Sequence, residues 1–299
     1  MLHHIRRYHV DLALIGVAAV WGFTFVTVKE AVEQYPPFSF MALRFAIAAL
    51  ALACLFPSSL RRLDRGVVSA GLVAGSVLAV GYVGQTLGLM SIGASRAGFI
   101  TGTFVVMTPV LQFVVLRRRV SPWVAAGAAS ATLGLWLLTA GGGGGWGVGD
   151  SLTLLAALGF SVHMIVLGVV SKRYPATTLT LVQMATAAAL CASAAVFLET
   201  PLALPRGTQV WGALAVTGLL ASAGAFWIQT YAQRHISPAR TALILINEPV
   251  FAGLFGFFLL GERLDLAGWT GSALIFIGML VSEVVSNLSR ATEDLPIEA

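Results

Sequence analysis

Asn247, Glu248 and Pro249 stand together in the middle of LILINEPVFAGL, a stretch from Leu243 to Leu254 that is otherwise apolar. A carboxylate in such surroundings is costly unless it is protonated, paired or turned to water. Pro249 has no amide hydrogen and crowds the preceding turn, which frees carbonyls between Ala242 and Leu245. Backbone loosened in this way is tolerated inside a bilayer only where it lines protein or a wet cavity. The three residues are therefore expected to face an interior. Glu248 either contacts a substrate or a proton there, or caps a neighbouring helix, and the residues alone leave both readings open.

Other polar residues lie in apolar runs. Pro109, with Thr101, Thr103 and Thr108 around it, predicts a second interrupted helix, a hinge or an ordinary kink. His163 can line a cavity or bond a neighbouring helix, and no second histidine or carboxylate lies near it along its own helix to make a proton relay. Gln85 and Gln229 each follow an aromatic residue, Tyr82 and Phe226, by about one helical turn. Trp21, Phe99, Phe160, Trp227 and Tyr231 add aromatic surface suited to an apolar pocket or to packing. Lys29 and Arg44 are placed to reach outer water; Arg44 can alternatively meet a substrate carboxylate in an outer vestibule, and a structural or gating contact is the favoured reading for it. These readings nominate Trp21, Tyr82, Gln85, Phe99, Thr103, His163, Phe226, Gln229, Asn247 and Glu248 as substrate contacts. Pro109, Pro249 and Arg44 are nominated as hinge or gate. No catalytic residue, metal ligand or cofactor site is expected.

The elements that must carry these residues follow from composition. Of 299 residues, 58% are hydrophobic and 10% charged, against about 25% charged in soluble domains. Mean hydropathy is +0.88. This is the composition of an all-α polytopic membrane protein, with the lipid bilayer as its main partner. Ten segments approach the roughly 20 apolar residues needed to span a bilayer: about 11–30, 38–56, 67–90, 94–116, 122–140, 150–170, 178–198, 209–232, 238–260 and 267–285. The small residues of GLVAGSVLAVGYVGQTLG in the third allow close helix approach.

The basic loops are short and hold no aromatic-interleaved surface, so nucleic acid is not expected as a partner. Cys54 and Cys191 lack metal-like spacing and predict inert thiols. HHIRRYHV precedes a run long enough to span, which predicts a retained first helix rather than a cleaved leader. The linker GGGGGWGVG lacks the lysine of a phosphate-binding loop. Neither H-E-x-x-H nor G-x-S-x-G occurs, so a membrane enzyme is disfavoured.

With ten spans both termini share a side. Thirteen of the 18 Lys and Arg residues fall on that side and four, Lys29, Arg96, Arg206 and Arg263, on the other, with Arg44 inside a span. The bias predicts cytoplasmic termini in a bacterial-type inner membrane.

The two halves repeat. A shift of 139 residues places Asp11 on Asp150, Tyr35-Pro36 on Tyr174-Pro175, Thr24 on His163 and Arg44 on Gln183. Further along a shift of 144 places Tyr82 on Phe226, Gln85 on Gln229, Gly127 on Gly271 and Gly134 on Gly278. Five spans per copy force the second copy to enter from the opposite face. The expected units are a first repeat over 1–140, a glycine-rich linker over 141–149, an inverted second repeat over 150–286 and a polar tail over 287–299.

Four stretches carry a family resemblance: WGFTFVTVK (Trp21 to Lys29), ALRFAIAA (Ala42 to Ala49), ASRAGFITGTFVVMTPV in the fourth span and SPARTALILINEPVFAGLFGFFLLGERL in the ninth. The chain resembles EamA-type members of the drug/metabolite transporter superfamily from about Val10 to Val285. The resemblance implies ten helices in two inverted five-helix halves, alternating access and export of small metabolites such as amino acids. A cavity with few fixed charges, amides and aromatic wall suits a bulky apolar or aromatic amino acid, carried by a protein that works as a monomer. Export of cationic drugs, with Glu248 as counter-ion, is the alternative within the class, and a channel is a further one. Proton antiport and facilitated diffusion both stay open.

Overall fold

Prolines and aspartates start several of the helices. Pro37 occupies the first turn of one, where its missing donor costs nothing. Asp64 accepts from the amides of Gly66 (2.7 Å) and Val67 (2.9 Å), and Asp265 from Gly268 (2.7 Å), each satisfying first-turn donors. Gly261, at φ 66°, closes another in the left-handed conformation that glycine adopts without strain.

The computed structural model describes residues 2–116, 122–140, 145–199, 204–236 and 238–281. Residues 117–119, most of the glycine linker and the tail over 287–299 lie outside the described residues. Among those described, all regular structure is helical. The first half comprises α1 (Leu2–Val32), α2 (Pro37–Leu55), α3 (Arg65–Leu89), α4 (Ala94–Gly102), α5 (Phe104–Leu116) and α6 (Pro122–Ala140). The second comprises α7 (Val148–Val170), α8 (Ala176–Leu198), α9 (Thr208–Ala215), a π-helical stretch Val216–Gly224, α10 (Ala225–His235), α11 (Pro238–Leu245), α12 (Asn247–Leu260) and α13 (Leu266–Leu280). Among the described residues, seven stretches are long and apolar enough to cross a membrane, and Ala125–Leu138, Asn247–Leu260 and Leu266–Leu280 are shorter apolar helices.

Two spans are broken near mid-length. One parts at Thr103, between α4 and α5; the other at Ile246, between α11 and α12. Pro249 lies three residues past its break, as its missing donor requires. Beside the break, the carbonyl of Ile244 accepts from Nδ2 of Asn247 at 2.8 Å. Pro109 differs from the expectation: α5 runs through it, and the break sits six residues earlier. The hydroxyls of Thr103 and Thr108 bond the carbonyls of Ile100 (2.6 Å) and Phe104 (2.7 Å) around that break.

The tightest packing joins α6 to α13, α3 to α7 and α8, α2 to α8, and α12 to α1 and α4. At the α6–α13 crossing a Cβ on Gly271 would stand 2.5 Å from the carbonyl oxygen of Gly134, and one on Gly278 would stand 2.5 Å from that of Gly127. The crossing depends on backbones meeting directly.

One end of the bundle collects the charged ties. Arg96 makes a two-pronged bond to Asp150 (2.7 and 2.9 Å). Glu262 accepts from the first amides of α4 at Ala94 and Ser95 (2.7 and 2.8 Å). Glu199 does the same for α2 at Phe38 and Ser39 (2.7 and 2.8 Å). Lys29 donates to the carbonyls of Leu89 (3.4 Å) and Ile92 (2.8 Å). Asp150 is 2% exposed and Arg96 16%. Asp150→Asn is therefore expected to cost about 2 kcal/mol, between the values for exposed and fully buried pairs. A lowered melting temperature of the purified protein in detergent would show it; an unchanged one would assign the pair no structural weight.

Candidate functional site

A narrow cavity of about 30 Å³ lies where both broken spans meet α1, α3, α7 and α10. That is room for one or two waters. Its walls are arranged in repeat pairs. From α1 come Trp21, Thr24 and Phe25; from α7 their mates at the 139-residue shift, Phe160, His163 and Met164. From α3 come Tyr82 and Gln85; from α10 their mates at 144, Phe226 and Gln229. At the first break lie Thr101 and Phe104; at the second their mates Leu245 and Glu248. Every lining residue thus has its repeat mate among the others. The rings of the mates Tyr82 and Phe226 are 6.0 Å apart.

The aromatic walls interlock. Trp21 and Phe226 stand at 5.1 Å, Tyr82 and Phe160 at 5.3 Å edge-on, and His163 and Phe226 at 5.8 Å edge-on. Such geometries align ring edges with ring faces. The Trp21 indole N–H is committed to the carbonyl of Ala221 at 2.8 Å, so it holds the wall rather than offering a donor to the cavity.

Glu248 sits in the first turn of α12 and is 6% exposed. Among the described residues no hydrogen bond or ion pair reaches its carboxylate. It is not a cap on a neighbouring helix here; the positive end of the α12 dipole is its nearest compensation. Close packing fixes its position. A Cβ on Gly22 of α1 would meet the carbonyl oxygen of Glu248 at 3.0 Å, and one on Gly102 would meet the Pro249 ring at 2.9 Å.

The other polar groups also present acceptors. His163 bonds through Nε2 to Oε1 of Gln183 at 2.8 Å, while the Gln183 amide NH₂ donates to the carbonyl of Leu179. Since Oε1 only accepts, Nε2 carries the proton and Nδ1 is the acceptor. The amide nitrogen of Gln229 contacts the Met164 sulfur at 3.6 Å, and its Oε1 is buried without a partner. Gln85 donates to the hydroxyl of Thr101 at 3.3 Å.

Of the residues nominated from sequence, the cavity brings together Trp21, Tyr82, Gln85, His163, Phe226, Gln229 and Glu248. Three lie elsewhere. Phe99 and Thr103 are each two residues from Thr101, on the far side of the helix. Phe99 faces a lateral crevice with Gly253, and Thr103 one shared with α6. Asn247 is spent on its own helix break. Arg44 does not reach outer water: it is 1% exposed, held by Ser222 and Tyr82. The π-helical stretch causes this, since Gly218 brings it against the carbonyl of Arg44. Thr24, Phe25, Thr101, Phe104, Phe160, Met164 and Leu245 line the cavity as well and are not among the nominated contacts. The repeat shift applied to Thr101, Glu248 and the His163 neighbourhood was the signal for most of them.

The model of the EamA-like transporter family matches the chain over residues 9–140 and 147–283. An uncharacterized transporter of Archaeoglobus fulgidus is 32% identical over 277 residues, 93% of this chain and 86% of that protein. The uncharacterized inner membrane transporter YedA of Escherichia coli K12 is 25% identical over 282 residues, covering 91% and 88%. One solved crystal structure shares the fold with a TM-score of 0.67 at 19% identity, over 93% of this chain and 99% of that one. Both matched segments carry the repeat mates that line the cavity, and the apolar helices make this a multi-pass membrane protein. The chain belongs to the EamA-like transporter family.

Proposed function

We propose that the chain is a secondary transporter that exports small amine-bearing solutes, amino acids first, by alternating access through the paired cavity. The observation that carries the solute class is Glu248: a buried carboxylate without a protein partner among the described residues, set in aromatic walls beside the acceptors Gln229 Oε1 and His163 Nδ1. A buried charge without a partner is strongly unfavourable. An ammonium group satisfies it, gains cation–π contact with the rings, and has three donors to give.

Support for alternating access comes from symmetry. Every lining residue has a repeat mate, and the glycine crossings are reciprocal: exchanging mates turns the 127–278 contact into the 271–134 contact. Two halves built alike and set in opposite sense exchange inward-open and outward-open shapes. The family model's two matched segments fit the same division, into ten spans in two inverted halves. The lysine and arginine bias supports cytoplasmic termini, and hence a cavity that opens alternately to cytoplasm and exterior in a bacterial-type inner membrane. The protein acts as a monomer, since its cavity is complete within one chain.

Because the free space holds only one or two waters, walls must move to admit an amino acid. A cation without a carboxylate is the second reading, favoured by the lack of any cationic side chain among the lining residues described. Purified protein in liposomes, tested for counterflow with labelled amino acids and amines, is expected to give saturable exchange. Flux that never saturates would make the protein a pore, and no flux of either class would reject the solute assignment.

A further inference from the structure

The acceptors described above account for an ammonium group but leave the carboxylate of an amino acid without a partner. Arg44 supplies one by an indirect route. It is 1% exposed, yet among the described residues no carboxylate meets it. Its Nε donates to Oγ of Ser222 at 2.8 Å and its Nη2 to the hydroxyl oxygen of Tyr82 at 3.2 Å. Its charge rests over the rings of Tyr82 (4.5 Å) and Phe45 (5.5 Å). Two hydroxyls and two ring faces are weak compensation for a fully buried guanidinium with five donors.

Tyr82 links this cation to the cavity, whose wall it forms. Its oxygen accepts from Arg44, so its own O–H is left to donate, and no protein acceptor for it stands among the described residues. A hydroxyl with a cation bonded behind it is a stronger donor than an isolated phenol. The repeat gives an independent comparison. The mate of Arg44 is Gln183, which stands behind His163 and fixes which ring nitrogen faces the site. In each half, therefore, a buried polar side chain at the same position orients one cavity group. In the second half it leaves an acceptor exposed; in the first, where it is a cation, it leaves a donor.

We propose that Arg44, acting through Tyr82, recognises the carboxylate of a zwitterionic α-amino acid while Glu248 holds its ammonium. Arg44 is a positioning residue, and it sets the preference for an amino acid over the amine of the same side chain. This rests on the reading of the cavity as a solute site.

The test uses the full chain in proteoliposomes and three probe pairs: phenylalanine with phenethylamine, tryptophan with tryptamine, and leucine with isoamylamine. Wild-type protein is expected to take up the amino acid of at least one pair in preference to its amine. Arg44→Gln and Tyr82→Phe are each expected to lower that preference by about tenfold, the worth of one charge-assisted hydrogen bond. Arg44→Lys should restore part of it. Should Arg44→Gln fail to fold, Tyr82→Phe, which keeps the ring, gives the same readout. A preference unchanged in Tyr82→Phe, or equal losses for both members of a pair, would overturn the role of Arg44 and leave the cavity reading standing. Wild-type protein that moves amines but not amino acids would overturn that role in the same way. If it moves neither, the solute-site reading fails and this proposal falls with it.

Discussion

Glu248→Gln is expected to reduce transport of a cation without a carboxylate by about a hundredfold, and of an amino acid by about tenfold. The first loses its only counter-ion; the second keeps the contacts of its own carboxylate. The same substitution should leave the solute-free protein as heat-stable as before, or more so. It replaces a buried carboxyl group that no hydrogen bond or ion pair reaches among the described residues by an amide of similar shape, with Gln229 and His163 still in place. Opposite signs for stability and activity mark a residue kept for binding rather than for folding. Counterflow and thermal unfolding on one preparation decide the matter. A lower melting temperature with normal transport would make Glu248 a structural residue and remove the observation on which the solute class rests.

Gly271→Val is expected to have the largest effect on folding. The added Cβ would lie 2.5 Å from both the carbonyl oxygen of Gly134 and the amide of Leu138. Both are backbone atoms of α6, so no side chain can rotate aside and the helices must separate. Overpacking of this kind costs about 3 kcal/mol. Gly16→Ala is the matched control, because a Cβ there meets nothing within 4 Å. Gly16 lies in helical α1, where alanine gains up to about 1 kcal/mol over glycine. The yield of monodisperse protein in detergent should fall sharply for the first and hold for the second. Equal yields would mean that the α6–α13 crossing is looser than its glycines imply.

Much of the site was legible because membrane sequence makes polar residues conspicuous. Glu248, His163, Gln85 and Gln229 stand out against apolar neighbours, and each costs too much to bury without a reason. Aromatic residues carry no such signal. Phe99 and Phe104 look alike in sequence, and only the break at Thr103 decides which one faces inward. Breaks are themselves hard to place from proline. Pro249 marks its break within three residues, whereas Pro109 sits inside a helix, six residues past the break at Thr103. Arg44 shows another limit: sequence leaves outer water, a substrate carboxylate and a structural or gating contact all open to it. Its position along α2 allows it to reach water, but the π-helical stretch that encloses it comes from residues 216–224, far along the chain. Helix periodicity cannot report a bulge in a distant segment. The repeat could have supplied most of the remainder, since mates of correctly chosen residues line the same cavity.

The charged ties at one end have a kinetic meaning. Arg96 with Asp150, Glu262 with the start of α4, and Glu199 with the start of α2 each join one half of the chain to the other. None can survive a separation of the halves at that end. In the alternating access proposed above, reorientation climbs an enthalpic barrier made of charge-assisted bonds. Turnover should steepen with temperature and quicken with ionic strength at that face, whatever solute is on board.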